Sequence, residues 1–424
     1  MKRKIIFIAI AVSTFNFNHE SSNCFSQGTR LWATYYGGMV DEQCWSVATD
    51  ATTGDVYMAG QTASTTSIAS GGFDNTFGGG TYDSFLVKFS SLGSRLWATY
   101  YGGTGEDYGL SVATDASGNV YLSGYTNSAS GIASGGFDNT LGGTQDAFLV
   151  KFDAAGNRLW ATYYGGTGDD WGYGISTDAS GNVYLAGYTD SGTGIASGGF
   201  QNTFGGVSDA FLVKLNAAGA RQWATYYGGT GDEQCLSIAT DVSSGNVYLG
   251  GYTFSISGIA SGGFDNTLGG TYDAFLVKFS TTGGRLWATY YGGTGGEVGY
   301  GVTADAGGNV YLGGVTDSPS GIASGGFQST FGGGFFDAYL VKFSASGNRL
   351  WATYYGGLGD EEGGYIATDP SDNVYLAGDT YSASGIASTG FDNSFTGTEN
   401  VYVVTFNTTG NRLCATYYGQ DHEE

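Results

Sequence analysis

Short apolar stretches separated by polar, glycine-rich turns recur along the whole chain, and they follow one another in groups of four. In the group between Asp169 and Gly229, the apolar stretches are residues 175–178, 183–189, 210–215 and 221–227. Short stretches rich in Val, Ile, Tyr, Phe and Trp and bounded by Gly, Asn, Asp or Ser predict β-strands, and no stretch has the spacing of an amphipathic helix. We name the four predicted strands A, B, C and D in chain order.

Strand D carries copies of one phrase, Trp-Ala-Thr-Tyr-Tyr-Gly-Gly, and these copies give the period of the chain. The first residue of the phrase recurs at intervals of 63 to 65 residues, as Trp32, Trp97, Trp160, Trp223, Trp287 and Trp351, followed by Cys414. A fixed period of this kind predicts an array of one structural unit.

The predicted strands are apolar on both faces. In strand B of the same group, Val183 and Leu185 point to one side, whereas Tyr184 and Ala186 point to the other. A sheet that is buried on both faces must lie between neighbouring sheets, and four-stranded sheets repeated radially form a β-propeller. We therefore predict an all-β fold in which residues 28–424 form a single propeller of six four-stranded blades.

Strand D occurs seven times, whereas strands A, B and C occur six times. Either the copy at Leu31 closes the propeller by joining the last blade, or the copy at Leu413 completes that blade locally. A seven-bladed propeller and an open or truncated array are the alternatives. The four cysteines are too scattered for a disulfide scaffold, but Cys24 and Cys414 both flank copies of strand D and form one candidate pair.

The N-terminus and the charge balance bear on location and partners. Lys2, Arg3 and Lys4 precede the apolar run 5–12, which is too short to span a bilayer, and we predict a secretory signal over residues 1–27. The formal net charge is −23, and such a surface repels nucleic acid and anionic membranes. Divalent cations and neutral or cationic ligands fit better, and we expect no membrane insertion of the mature chain.

Four phrases of the repeat together match a known family. They are residues 177–187, 199–206, 209–214 and 223–229, which read Thr-Asp-Ala-Ser-Gly-Asn-Val-Tyr-Leu-Ala-Gly, Gly-Phe-Gln-Asn-Thr-Phe-Gly-Gly, Asp-Ala-Phe-Leu-Val-Lys and Trp-Ala-Thr-Tyr-Tyr-Gly-Gly. In these phrases the chain resembles the bacterial β-propeller repeat (SBBP) family over residues 30–420. The family name implies seven blades, against the six counted here. The resemblance implies a secreted or cell-surface protein of a bacterium with an outer membrane, and it brings no catalytic residues.

The order of the strands places the D–A and B–C loops on one face of the blades, opposite the short A–B and C–D turns. Every D–A loop contributes one to three carboxylates, and carboxylates together with backbone carbonyls suit Ca²⁺. We expect either weak cation sites, with calcium as the candidate ion, or acids that cap turns and keep a glycine-rich surface soluble. The acids are Asp41, Glu42, Glu106, Asp107, Asp169, Asp170, Asp232, Glu233, Glu297, Asp360 and Glu361.

The B–C loops share the segment Ser-Gly-Ile-Ala-Ser-Gly-Gly-Phe, but a position just before it varies between blades. We predict that this position faces a ligand, and its aromatic members can stack on a sugar or a peptide. The variable residues are Asn127, Asp190, Phe254, Asp317 and Tyr381. Two further Asp series, at the start of the A–B turns and before strand C, fit turn chemistry.

The only histidines, His19 and His422, lie outside the repeats, which excludes Ser-His-Asp catalysis and histidine metal sites within the blades. Paired carboxylates such as Asp169 and Asp170 leave a glycoside hydrolase as the remaining enzymatic alternative. An active site needs residues unlike their equivalents, whereas these blades are nearly equivalent, so we predict no enzyme. We expect a secreted or cell-surface propeller with a multivalent acidic face for adhesion to, or binding of, an extracellular protein or glycan. A purely structural extracellular scaffold is the alternative.

Overall fold

Twenty-four β-strands make up the fold, and no helix occurs in residues 31–419, the part of the chain that this computed structural model describes. The strands form six four-stranded sheets. The predicted all-β propeller of six four-stranded blades is thereby confirmed. We number the blades 1 to 6 along the chain.

Blades 1 to 3 belong to one of two compact units, which covers residues 31–227. In each blade the strands are antiparallel and neighbours in the sheet are neighbours in sequence. The strands are β1 (Glu42–Thr49), β2 (Val56–Thr62), β3 (Asp83–Phe89), β4 (Arg95–Tyr101), β5 (Asp107–Thr114), β6 (Val120–Thr126), β7 (Asp146–Phe152), β8 (Arg158–Tyr164), β9 (Asp170–Thr177), β10 (Val183–Thr189), β11 (Asp209–Leu215) and β12 (Arg221–Tyr227).

Blades 4 to 6 belong to the second unit, which begins at Gly228. Their sheets have the same antiparallel order. The strands are β13 (Glu233–Thr240), β14 (Val247–Thr253), β15 (Asp273–Phe279), β16 (Arg285–Tyr291), β17 (Glu297–Ala304), β18 (Val310–Thr316), β19 (Asp337–Phe343), β20 (Arg349–Tyr355), β21 (Glu361–Thr368), β22 (Val374–Thr380), β23 (Asn400–Phe406) and β24 (Arg412–Tyr418).

Strand A carries a β-bulge, which is an extra residue that strand B does not match. In blade 1 the pairing shifts between Cys44 and Ser46, so that Trp45 is the additional residue. In blade 3 the additional residue is Tyr173. A bulge redirects the side chains beside it, and the rings of Trp171 and Tyr173 consequently lie on one side, 6.0 Å apart.

The hydrophobic cores lie between neighbouring blades. Tyr57 and Leu86 of blade 1 are buried in one cluster with Leu122 and Phe148 of blade 2. Clusters of the same composition join blade 2 to blade 3, blade 4 to blade 5 and blade 5 to blade 6. Blades 2 and 5 each lie between two of these clusters, and their strands are apolar on both faces because each of these sheets contributes to a core on either side.

The recurring tryptophan fastens one blade to the next. The indole N–H of Trp97 in blade 1 donates to the carbonyl of Ala154 in blade 2 at 3.1 Å, and Trp160 donates to Ala217 in blade 3 at 3.0 Å. Gly156 lies against the Trp97 ring with a φ of +86°, and a Cβ there would stand 3.0 Å from an indole carbon. Both the conformation and the close approach require glycine in this turn.

The two terminal copies of strand D have different environments. The copy at Leu413 forms β24, which pairs with β23 and completes blade 6 locally. The copy at Leu31 forms no strand, but its Trp32 indole donates to the carbonyl of Ser91 in blade 1 at 3.1 Å. Residues 31–38 therefore pack on blade 1 as the strand D of a preceding blade would.

The cysteines divide into two groups. Cys44 and Cys235 are buried and free, whereas Cys414, which takes the tryptophan position in β24, is disulfide-bonded. Cys24, the partner proposed from the sequence, lies outside the described residues, as does the secretory signal predicted for residues 1–27. None of the described residues belongs to a helix that could cross a bilayer.

Candidate binding face at the D–A and B–C loops

The D–A loop and the start of the B–C loop meet in each blade on a surface that we call the DA–BC face. In blade 2 the amide of Asn127 donates to the carbonyl of Glu106 at 3.1 Å, and in blade 3 the amide of Asp190 donates to the carbonyl of Asp169 at 2.9 Å. The same backbone bond joins Phe254 to Asp232, Asp317 to Gly296 and Tyr381 to Asp360. The structure thus brings together two sets of candidate residues that the sequence predicted separately.

The candidate acids of the D–A loops fall into two classes. The first acid of each loop is exposed or half-buried, and this class consists of Asp41, Glu106, Asp169, Asp232 and Asp360. The second acid is the first residue of strand A. It is half-buried in blade 1, as Glu42, and fully buried in the other blades, as Asp107, Asp170, Glu233, Glu297 and Glu361.

The buried acids are held by hydrogen bonds within their own blade. Asp170 accepts from the amide of Gly166 and the hydroxyl of Ser191, both at 2.8 Å, and from the hydroxyl of Thr189. Burial raises the pKa of Asp170, whereas these hydrogen bonds lower it. Burial has the larger effect, and the pKa is about 7. The carboxylate therefore ties the start of strand A to the B–C loop, which is the structural role weighed for these acids in the sequence.

The metal prediction concerns the acids of both classes. Within residues 31–419, no group of three or more His, Cys, Asp or Glu side chains is arranged to hold a metal ion. Because the second acids already accept bonds from Thr, Ser and Gly donors, the first acids are the better candidates for weak cation contacts. Calcium binding stays a prediction for them.

The polar and aromatic members of the variable B–C position behave differently. Asn127 Oδ1 accepts from the amide of Glu106 at 2.6 Å, and Asp317 Oδ1 accepts from the amide of Gly296 at 2.5 Å. These side chains brace the D–A loop. Phe254 and Tyr381 instead remain about two-fifths exposed, at 41% and 39%, and offer ring surface to a ligand.

Aromatic side chains form a continuous stack across blades 1 to 3, which we call the aromatic ladder. Its rings stack nearly parallel at two steps: the Tyr108 and Tyr125 centroids are 4.6 Å apart with an angle of 14°, and those of Tyr125 and Trp171 are 4.1 Å apart with an angle of 8°. The ladder continues at each end, to Tyr82 at 5.6 Å from Tyr108 and to Tyr188 at 5.3 Å from Trp171. All five rings are half-buried, so part of each ring is open to solvent.

Polar groups border the ladder. Trp171 Nε1 donates to Gln145 Oε1 at 2.8 Å, the Tyr108 hydroxyl donates to Glu106 at 3.2 Å, and the Thr81 hydroxyl donates to Glu106 at 2.8 Å. Burial, followed by the charge of Glu106, raises the pKa of Tyr108 to about 12. The phenol is therefore protonated at neutral pH and remains a hydrogen-bond donor.

Blade 4 keeps tyrosines at two ladder positions, Tyr252 and Tyr272, but has Gln234 at the position of Tyr108. In blade 4, Phe254 lies 5.1 Å from Tyr272 and 6.0 Å from Tyr252. In blade 1 the positions of Tyr108 and Tyr125 are taken by Gln43 and Gln61, whose side chains bond each other at 3.0 Å. The continuous ladder is thus a feature of blades 1 to 3 and does not follow the repeat.

One feature of the sequence indicates where the ladder lies. The second residue of strand A varies from blade to blade within an otherwise repeated strand. This residue is Gln43, Tyr108, Trp171, Gln234, Val298 or Glu362. Variation at a regular position indicates freedom from the packing of the blade, and it marks the same surface as the variable B–C position.

Two stretches of the chain match the family model of the beta-propeller repeat SBBP, residues 96–131 and residues 159–193. The chain carries SBBP repeats. Each matched SBBP repeat runs from strand D of one blade through strands A and B of the next blade into its B–C loop. The repeat therefore contains one D–A loop and one variable B–C position, and the two matched repeats supply Tyr108, Tyr125, Trp171 and Tyr188 of the ladder.

Two named proteins share part of their sequence with these SBBP repeats. The uncharacterized WD repeat-containing protein L264 of Acanthamoeba polyphaga mimivirus is 25% identical over 436 residues, which cover 82% of this chain and 31% of that protein. Regulatory protein FlaEY of Caulobacter vibrioides is 26% identical over 217 residues, which cover 48% of this chain and 22% of that protein. Among solved structures, Kuenenia stuttgartiensis hydrazine synthase is 7% identical with a TM-score of 0.44 and covers 85% of this chain and 76% of that chain.

Proposed function

We propose that this propeller is a non-catalytic binding protein whose DA–BC face holds a neutral glycan against the aromatic ladder. The observation that carries the proposal is the stack of half-buried rings from Tyr82 to Tyr188 with carboxylate and amide groups at its edge. Ring faces suit the C–H faces of sugars, and a few placed polar groups suit their hydroxyls. The net charge of −23 disfavours an acidic glycan.

The proposal refines the idea of a multivalent acidic face. The first acids of the D–A loops recur in five of the six blades, whereas the ladder is confined to blades 1 to 3, where blade 1 contributes only Tyr82. We therefore propose one principal platform on the ladder, and separate, weaker contacts at Phe254 and Tyr381. Adhesion from a secreted or cell-surface position is part of the proposal, and its support is the N-terminal sequence and the family resemblance.

The environment of the acids supports a non-catalytic role. Asp169 lies before strand A and is half-buried, whereas Asp170 is the first residue of the strand. Asp170 is buried under Thr189 and Ser191. A glycoside hydrolase instead needs two carboxyls that face one sugar from both sides of the scissile bond.

The test is a binding screen of neutral polysaccharides and oligosaccharides, followed by titration calorimetry on any hit with wild type and with Trp171→Ala. Loss of one stacked ring should weaken binding roughly tenfold. Trp45→Ala is the matched control, because Trp45 is a 40% exposed tryptophan in blade 1, outside the ladder, and its loss should leave affinity unchanged. Equal losses in both variants would place the site elsewhere.

A structural scaffold is the second candidate, because the buried tryptophan and acid contacts recur nearly unchanged between blades. A screen that finds no glycan or protein ligand, with and without Ca²⁺, would favour the scaffold. Deletion of the protein should then alter the integrity of the cell surface, whereas an unchanged surface would count against this candidate as well.

A further inference from the structure

Buried acids of neighbouring blades face each other in pairs. At the boundary of blades 1 and 2 the pair is Asp83, the first residue of β3, and Asp107, the first residue of β5, both 0% exposed. A Cβ added to Gly102 would lie 2.7 Å from Asp83 Oδ1 and 2.7 Å from Asp107 Oδ2. One oxygen of each carboxylate thus lies beside the same glycine, where no side chain separates the two acids.

One carboxylate oxygen in this pair has no hydrogen-bond partner. Asp83 Oδ2 accepts from the amide of Gly78 at 2.6 Å, whereas Asp83 Oδ1 is buried without a partner. Asp337, which faces Glu361 across Gly356 at the boundary of blades 5 and 6, has the same arrangement. In both pairs the unpartnered oxygen is the one beside the opposite carboxylate.

The length of the B–C loop explains why these two oxygens lack a donor. In blade 2 the amides of Gly142 and Gly143 donate to the two oxygens of Asp146, at 2.8 and 3.1 Å. The loops of blades 1 and 5 contain a third glycine, Gly80 and Gly334, with φ of +64° and +66°. With the added residue, the second amide, of Gly79 or Gly333, still lowers the pKa of the aspartate but makes no complete hydrogen bond to its Oδ1.

Two ionised carboxylates facing each other away from water repel strongly. Asp107 accepts hydrogen bonds from Thr126, Ser128 and Gly103, and these donors favour its ionised form. We infer that Asp83 and Asp337 each hold a proton near neutral pH and donate it from Oδ1 to the facing carboxylate of the next blade. The shared proton satisfies the unpartnered oxygen and leaves one negative charge in each pair.

A proton fits this space better than a metal ion does. Calcium takes six to eight oxygen ligands, whereas each pair offers a single free oxygen and otherwise presents N–H and O–H donors that point at the carboxylates. A hydrogen bond needs only the donor that is missing. The pair of carboxyls sharing one proton is also a known outcome of like charges at close range.

The surroundings of the pairs favour the protonated form. Burial raises the pKa of Asp83 and of Asp337 most strongly, and the charge of the facing acid raises it further. Each pKa moves from 3.8 to about 7. The remaining titratable groups that face the two pairs are acids and phenols, which add no positive charge. They are Asp74, Glu106, Tyr100, Tyr101 and Tyr163 at the first pair, and Asp360, Tyr354, Tyr355, Tyr402 and Tyr417 at the second.

The sign of the pH dependence follows from these directions. A carboxyl with a higher pKa in the folded state than in the unfolded state stabilises the fold fully below its unfolded pKa, and this stabilisation is lost as the pH rises through the folded pKa. The window therefore runs from about pH 4 to about pH 7. Asp170, with its raised pKa, acts in the same direction. Asp115 and Asp178 have lowered pKa values, so the stabilisation that they contribute to the fold is lost only in more acidic solution.

The test compares melting temperatures of the full chain at pH 5 and pH 8. We expect wild type to melt about 5 °C or more lower at pH 8. The double variant Asp83→Asn/Asp337→Asn supplies a permanent N–H donor at each pair, and it should melt higher than wild type at pH 8. Blade 6 already has an asparagine at this position, Asn400, the first residue of β23. Asp146→Asn is the matched control, and it should melt lower at both pH values because its amide nitrogen would face the Gly143 amide.

Three outcomes would overturn the inference. The first is a wild-type melting temperature that does not fall between pH 5 and pH 8. The second is a double variant that melts lower than wild type at both pH values. The third is a melting temperature at pH 8 that Ca²⁺ raises for wild type but not for the double variant. If the double variant does not fold, infrared spectroscopy of wild type decides. A protonated carboxyl C=O band that is present at pH 6, lost by pH 9 and weakened in the single variants Asp83→Asn and Asp337→Asn, but still given by Asp170, supports the shared proton, and a band that these variants leave unchanged refutes it.

Discussion

Two adjacent positions at the start of strand A follow opposite rules. The first position holds Asp or Glu in every blade and is buried in blades 2 to 6, where its carboxylate accepts a hydrogen bond from the threonine that ends strand B. The second position holds Gln, Tyr, Trp, Val or Glu, and in blades 2 and 3 it supplies rings to the aromatic ladder. The repeated position builds the blade, and the varied position is free to recognise something.

The largest effect should come from the contact between blades that the repeat preserves most closely. Trp97→Ala removes a ring that is 5% exposed and a bond to Ala154, and we expect it to lower the free energy of unfolding by about 4 kcal/mol. Denaturant unfolding measures the change. Trp45→Ala, at a 40% exposed tryptophan, is the control and should cost less than about 1 kcal/mol. Similar costs for both would remove the special role of the recurring tryptophan.

Two consecutive acids give the next comparison. Asp170→Ala leaves the donors of Gly166, Thr189 and Ser191 without their acceptor, and we expect a loss of about 3 kcal/mol in the free energy of unfolding. Asp169→Ala, one residue earlier and half-buried, should change it by less than about 0.5 kcal/mol. Thermal and urea unfolding of the two variants would show whether burial separates these acids. An equal cost at both positions would mean that it does not.

The strands, the blade number and the side of the long loops could be predicted from the sequence, because each depends on short-range pattern and on the period. The burial of Asp107 and Asp170 was weighed as a structural role but could not be separated from cation binding, since both use the same residue types. Contacts between residues of different blades could not be predicted from the sequence. Tyr125 and Trp171 stack although they lie in different repeats, and Asp83 meets Asp107 only because neighbouring sheets converge at Gly102.

The smallest effect on stability should come from an exchange within the varied position. Trp171→Gln gives blade 3 the residue that blades 1 and 4 have there, Gln43 and Gln234, so the blade already tolerates it. We expect a change of less than about 1 kcal/mol in the free energy of unfolding, because the ring is half-buried and packs on Tyr125 and Tyr188 only at the surface of the sheet.

The same exchange should remove most of any glycan affinity that the wild type shows in calorimetry, so stability and binding would separate at one residue. The reverse exchange, Gln43→Trp in blade 1, should leave both quantities nearly unchanged, because Gln61 rather than a tyrosine lies beside that position. If Trp171→Gln instead destabilised the protein as much as Asp170→Ala, the ladder would be part of the frame. The second position of strand A would then stabilise the blade as the first position does, and the proposed difference between the two positions would be wrong.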